Sequence, residues 1–155
     1  MTVTEKQTFA ARVHELLSQA EGFRKNTVFA MMQPTLAALD PEGPSVTLAY
    51  PGQAWEQNGT GVLHGGITAA MMDVAMGTLT YGLAGCITPT INLNISYPRP
   101  AAGSGRFLLR AELSKAGRTM FYTTGTLYEA DAPDKPVVTA QGVFFNPTGK
   151  FLGET

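Results

Sequence analysis

Cysteine, histidine, tryptophan and charge are all scarce in this chain of 155 residues. The single cysteine, Cys86, excludes an intrachain disulfide and suits a reducing, cytoplasmic compartment; with no basic neighbour it reads as a small buried hydrophobe. Two histidines, His14 and His64, do not make a zinc cluster, so no metal is expected. No serine sits in a GxSxG elbow, which leaves no local sign of a serine triad. Charged residues make up only 15% of the chain and the net charge is −1, without the basic excess of a nucleic-acid binder. The N-terminal stretch MTVTEKQTFAARVHELL lacks the apolar core of a signal peptide.

Residues 67–86 are apolar over about the length of a membrane span. Asp73 would then lie within the hydrocarbon, at about 2.5–3.5 kcal/mol, and no lysine or arginine flanks the run closely. A helix apolar on all sides can equally be one wrapped by protein, and no membrane partner is expected.

What the chain does have is concentrated in residues 58–85, NGTGVLHGGITAAMMDVAMGTLTYGLAG. Asp73 is the only charged residue between Glu56 and Arg99. A carboxylate among alanines and methionines must be desolvated, paired or protonated, each at a cost in free energy. Perturbed acids cluster at functional sites, so Asp73 is the first candidate for chemistry. Asn58, Gly59, Gly61, His64, Gly65 and Gly66, just before it, read as the rest of a site. The methionines Met31, Met32, Met71, Met72 and Met76 read as core.

Periodicity gives an α+β order. Residues 8–20 have helical spacing, with Phe9, Val13, Leu16 and Leu17 on one face and Arg12, Glu15 and Gln19 towards water. Gly22 breaks that helix, and a second helical piece over 23–32 ends before Pro34. A strand is expected over 45–50, a loop over 51–61 and a central helix over 66–81. Residues 90–97 alternate, with Ile91, Leu93, Ile95 and Tyr97 on one face and polar residues on the other. Three further strands follow over 106–114, 119–130 and 137–145, the first two joined by a tight turn at 115–118 that contains Gly117. One antiparallel sheet curling round the long helix accommodates this order.

The motif Asn58-x5-His64-Gly65-Gly66-x6-Asp73, followed by a strand ending in NISYPRPA, resembles the hotdog-fold acyl-CoA thioesterases. It is most similar to the branch of the phenylacetate-degradation and 4-hydroxybenzoyl-CoA thioesterases. The likeness runs from residue 45 to residue 145 and includes GRTMFYTTGTLYE and VTAQGVFFN. It implies a hotdog domain over 45–148 behind an N-terminal helical segment over 1–44, and hydrolysis of an acyl- or aryl-CoA thioester without any cofactor beyond the substrate's own CoA. It also implies roles. Asp73 activates water or attacks the thioester carbonyl, the Gly65 N–H polarises the carbonyl oxygen, Asn58 assists there, and Thr90 helps to hold the water. His64, read from its place in the chain, shapes the turn or hydrogen-bonds across the subunit interface rather than acting as a base.

Gly65 and Gly66 open a helix, whose free N–H groups and dipole suit a developing oxyanion. Eight residues at 1.5 Å rise separate Gly65 from Asp73 by about 12 Å, too far for both to reach one carbonyl carbon. The expected site therefore joins Asn58 and Gly65 of one subunit to Asp73 and Thr90 of another, in a homodimer or, as the family often has it, a homotetramer of paired dimers. CoA phosphates call for cations, and Arg99, Gly117 and Arg118 fall in turns that could face them; Arg106 and Arg110 read as ordinary strand positions. A hotdog hydratase or dehydratase is the enzymatic alternative, and an acyl-CoA-binding or sensing module the non-enzymatic one.

Overall fold

The computed structural model describes residues 1–19 and 25–154. Helix α1 (Val3–Ser18) starts earlier than its apolar spacing suggests because Thr2 and Glu5 form a capping box. The Glu5 N–H donates to Thr2 Oγ1 at 3.2 Å, and the Thr2 N–H to Glu5 Oε2 at 2.7 Å. Phe9, Val13 and Leu16 are buried as expected. Arg12 is not turned to water. It folds onto the far end of helix α3 (Gly65–Ala84) and donates to the carbonyls of Gly82 and Leu83 at 3.2 and 3.1 Å. These carbonyls have no partner within their helix, and a cation there also meets the negative end of the dipole. Gly85 closes the same helix end in the left-handed conformation, at φ 74°.

The expected break at Gly22 and the start of the second helix at Phe23 lie outside the described residues. Within them, helix α2 (Val28–Met31) is a single turn, capped by the Thr27 side chain and ended before Pro34. Residues assigned no element in the sequence then form strand β1 (Thr35–Asp40), which pairs antiparallel with β2 (Ser45–Gly52). The segment TLAALD alternates too weakly to announce a strand, and its pairing with β2 decides its conformation. The first 44 residues thus supply a strand as well as helices.

After a 3-10 turn (Ala54–Glu56) and α3 come β3 (Thr90–Ser96), β4 (Gly105–Ala116), β5 (Met120–Glu129) and β6 (Val138–Phe145). One antiparallel sheet results, in the order β1-β2-β4-β5-β6-β3. Its concave face carries Phe107, Leu109, Phe121, Leu127 and Phe144 against Met71, Met72, Met76, Leu79 and Leu83 of α3. Each such fully buried side chain contributes about 1.5–3 kcal/mol. The helix lies close to the sheet where the strands carry glycine. A Cβ on Gly125 would sit 2.8 Å from Met72 Sδ, and one on Gly142 3.1 Å from Met76 Sδ.

The run that matched a membrane span is therefore the core of the molecule, and no helix among the described residues is long and apolar enough to cross a membrane. Met32 joins that core, whereas Met31 is exposed and Cys86 only half-buried. The alternation of β3 is real, but only Leu93 and Ile95 pack against the core. Ile91 and Tyr97 remain 57% and 52% exposed, at the last strand of the sheet.

Candidate active site

Asp73 sits two turns into α3, on a flank that its own chain covers incompletely: Ile67, Ala70, Val74, Gly77 and Tyr81 on that flank are only half-buried. Its carboxylate is half-buried too, and Thr90 at the start of β3 donates its hydroxyl to Oδ1 at 2.5 Å. One carboxylate oxygen is thereby held, and among the described residues no side chain donates to Oδ2. The structure thus joins Asp73 and Thr90, which lie seventeen residues apart in sequence.

The start of α3 is a separate cluster. His64 is its N-cap, and Nδ1 accepts the Gly66 N–H at 2.9 Å. The Ile67 and Thr68 N–H groups both reach the His64 carbonyl at 3.0 Å. The Gly65 N–H has no acceptor among the described residues, so the one donor of this turn left free is the one aimed outward from the helix end. Asn58 organises the preceding loop: Oδ1 accepts from the Thr60 N–H, the Thr60 hydroxyl and the Val62 N–H, at 2.9, 2.7 and 3.3 Å. With Oδ1 occupied, the Nδ2 amide is the half of the side chain available as a donor.

Tyr97, at the end of β3, was not singled out in the sequence. Its hydroxyl donates to the Gly65 carbonyl at 2.9 Å, so the strand that holds Asp73 at one end holds the helix N-terminus at the other. Its place in the NISYPRP run was visible; its contact with a residue thirty-two positions away was not.

Glu56 was also missed. It is fully buried, its carbonyl accepts the His64 N–H at 2.8 Å, and its carboxylate accepts from the Gln53 N–H and Nε2 at 3.0 and 3.3 Å. Gln53 Nε2 also reaches the Met31 carbonyl at 2.7 Å, tying α2 to the site loop. Burial pushes the Glu56 carboxyl above the ordinary value of 4.5, against the two Gln53 bonds. A raised carboxyl favours folding fully below 4.5, and that contribution is lost as pH climbs through the raised value. Glu56→Gln is expected to flatten the melting temperature over that interval, where the wild type declines. Identical pH profiles for the two proteins would refute this account.

The residues chosen for CoA do not converge within one chain. Arg118 is 85% exposed and lies 3.9 Å from Glu154, and the Gly117 N–H closes its turn on the Met120 carbonyl at 2.9 Å. Arg99 donates to the Pro136 carbonyl at 3.0 Å, at the opposite end of the β5–β6 hairpin. The ten residues of β5 put the two ends of the hairpin about 30 Å apart.

A helix bedded in one antiparallel sheet, with an acid on its open flank and free donors at its start, defines a protein of the hotdog fold. Comparison with known proteins agrees. The family model described as "Thioesterase superfamily" matches residues 60–134. Acyl-coenzyme A thioesterase THEM4 of Bos taurus is 30% identical over 108 residues, 69% of this chain; the chain spans only 44% of that relative's length. Among solved structures, a phenylacetic acid degradation-related protein of Ralstonia eutropha JMP134 is 27% identical with a TM-score of 0.70, covering 83% of this chain and 98% of its own. Zebrafish thioesterase superfamily member 2 shares the fold at a TM-score of 0.68 and 24% identity, over 96% of this chain and 95% of its own. Over residues 60–134 the chain matches the thioesterase superfamily, and its fold is the one these thioesterases share.

Proposed function

We propose that this protein hydrolyses acyl-CoA thioesters, in a site shared between two copies of the chain. The observation that carries the reading is the pair of half-sites at the two ends of β3: Asp73 with Thr90, and Asn58 with the free Gly65 N–H beside Tyr97. Each half lacks what the other offers.

The edge of the sheet supplies the way to join them. Among the described residues β3 pairs only with β6, so its other side presents unpaired backbone groups over seven residues, none of them charged. Such an edge is a template for another strand. Antiparallel pairing with β3 of a second copy would set Thr90 and Asp73 of that copy beside Ser96, Tyr97 and Gly65 of the first. The same two-fold would bring Arg118 of one subunit to the end that carries Arg99 of the other, where the CoA phosphates need cations. It would also cover Ile91 and the open flank of α3.

The chemistry then follows. The Gly65 N–H, at the positive end of a twenty-residue helix, and Asn58 Nδ2 stabilise charge developing on the thioester oxygen. Asp73 takes a proton from water as the water oxygen bonds to the carbonyl carbon, or bonds to that carbon itself and is later freed by water. In either route the C–S bond breaks, its electron pair leaves with sulfur, the thiolate takes up the proton released from water, and the products are the free acid and the CoA thiol. Thr90, bound to Oδ1, keeps Oδ2 turned to the reaction.

Free-thiol release from a panel of aliphatic and aromatic acyl-CoAs tests the reading. Steady release well above the uncatalysed rate is the expected result. Binding of acyl-CoA with no thiol formed would leave a sensing module instead, and hydration of an enoyl-CoA in its place would make the protein a hydratase.

A further inference from the structure

A cleft of about 290 Å3 opens at Asp73 and runs along α3 away from the helix N-terminus. Asp73, Gly77 and Tyr81 follow one another at helical spacing along its wall, a run of about 12 Å. Phe144 forms part of the sheet side, and Leu16 of α1 and Phe29 of α2 close it from the N-terminal segment. Among the described residues, Asp73 is the only charged one that lines it. Its threonines are engaged within the protein: Thr78 donates to the Val74 carbonyl at 2.7 Å, and Thr88 shares a 2.6 Å bond with Thr80. Beyond the carboxylate, the wall is mainly apolar, with Phe29, Tyr81 and Phe144 as its rings.

Gly77 has no packing reason to be glycine. A Cβ there would meet only the Phe144 ring, at 3.8 Å, an ordinary contact. Gly82, one turn on, is different: its Cβ would come within 2.6 Å of Phe9, so α1 needs that glycine in order to dock. A glycine inside a helix is unfavourable relative to alanine. What glycine at 77 provides is the open floor of the cleft, one turn beyond the carboxylate.

We propose that this cleft takes the acyl group of the substrate, that Gly77 and Phe29 set its size, and that the group is uncharged, apolar and of medium length. The proposal rests on the thioesterase reading and adds to it the acyl class and the residues that select it. A chain passes Asp73, lies over Gly77 and ends against Phe29 and Leu16. Long acyl chains overrun that end, and an acyl group with a remote carboxylate meets no cation among the described lining residues. Leu16, Phe29 and Phe144 all lie outside residues 60–134, so this selection belongs to the parts of the chain outside the family match.

The test compares kcat/KM for butyryl-, octanoyl-, phenylacetyl-, palmitoyl- and succinyl-CoA in the wild type, Gly77→Ala and Phe29→Ala, with melting temperatures for all three. The wild type is expected to prefer octanoyl- and phenylacetyl-CoA. Gly77→Ala should melt no lower and should cut the octanoyl-to-butyryl ratio by about tenfold, as an added methyl does in an apolar pocket. Phe29→Ala should raise the palmitoyl-to-octanoyl ratio by a similar factor. Ratios unmoved in both folded variants, or succinyl-CoA as the best substrate, would overturn the proposal while leaving thioester hydrolysis intact. Should the wild type release no thiol at all, the hydrolytic reading falls, and the same size rule is read from binding of the S-butyl and S-octyl CoA thioethers. Equal preference in wild type and variants there would remove the cleft from acyl recognition as well.

Discussion

Asp73→Asn is expected to lower kcat by about 10²- to 10⁴-fold, the usual contribution of a positioned general base. That loss corresponds to roughly 3–5 kcal/mol of transition-state stabilisation. An amide cannot take the proton from water, nor does it attack a carbonyl as a carboxylate does. It can keep the local structure, because the amide oxygen accepts the Thr90 hydroxyl as Oδ1 does now, at 2.5 Å. The position is half-buried, so an uncharged side chain of the same shape costs little there. Thiol release at saturating acyl-CoA, with the melting temperature and acyl-CoA binding measured alongside, checks the prediction. An unchanged kcat in the folded variant would take Asp73 out of the mechanism.

The second large effect is a gain on mixing two inactive proteins. Gly65→Pro removes the free N–H and should inactivate the site without unfolding it. Position 65 is the first residue of α3, where proline is favoured and its missing N–H breaks no bond, since Gly65 donates to no acceptor among the described residues. His64 before it has φ −66° and ψ 133°, the extended conformation that a residue preceding proline prefers. The added Cβ would meet the Tyr97 ring at 3.5 Å, an ordinary contact. In a hybrid with Asp73→Asn, one shared site holds an intact Gly65 from one chain and an intact Asp73 from the other, and the second site holds neither. Random reassociation in a two-fold dimer makes half the molecules hybrids, each with one working site, so roughly a quarter of wild-type activity should return. No recovery from two folded proteins that do exchange subunits would show that each chain carries its own complete site.

Much of this could be read from residue order because the determinants are local. Alternation marked β3, and a mixed apolar run opened by two glycines marked α3. The Asn58, His64, Gly65 and Asp73 spacing pointed to the family because a loop, a helix start and one helix face are set by residues close in sequence. Glu5 as the partner of Thr2 was equally local, and reading the cap beside the apolar spacing would have placed the start of α1.

Other features depend on what a segment meets after folding. TLAALD becomes β1 because β2 offers it an edge, and Arg12 leaves the water side of α1 because the carbonyls that end α3 lie within its reach. Tyr97 belongs to the site through a carbonyl thirty-two residues back, and Phe29 through a cleft assembled from five separate parts of the chain. Gly77 and Gly82 look alike in sequence, and only the packing around them separates open space from a helix crossing. Hydrogen-bond caps, periodicity and motif spacing act over a few residues, so they were legible in one dimension. The cleft, the capped helix end and the unpaired edge of β3 arise from contacts between distant segments, which exist only once the sheet has closed around α3.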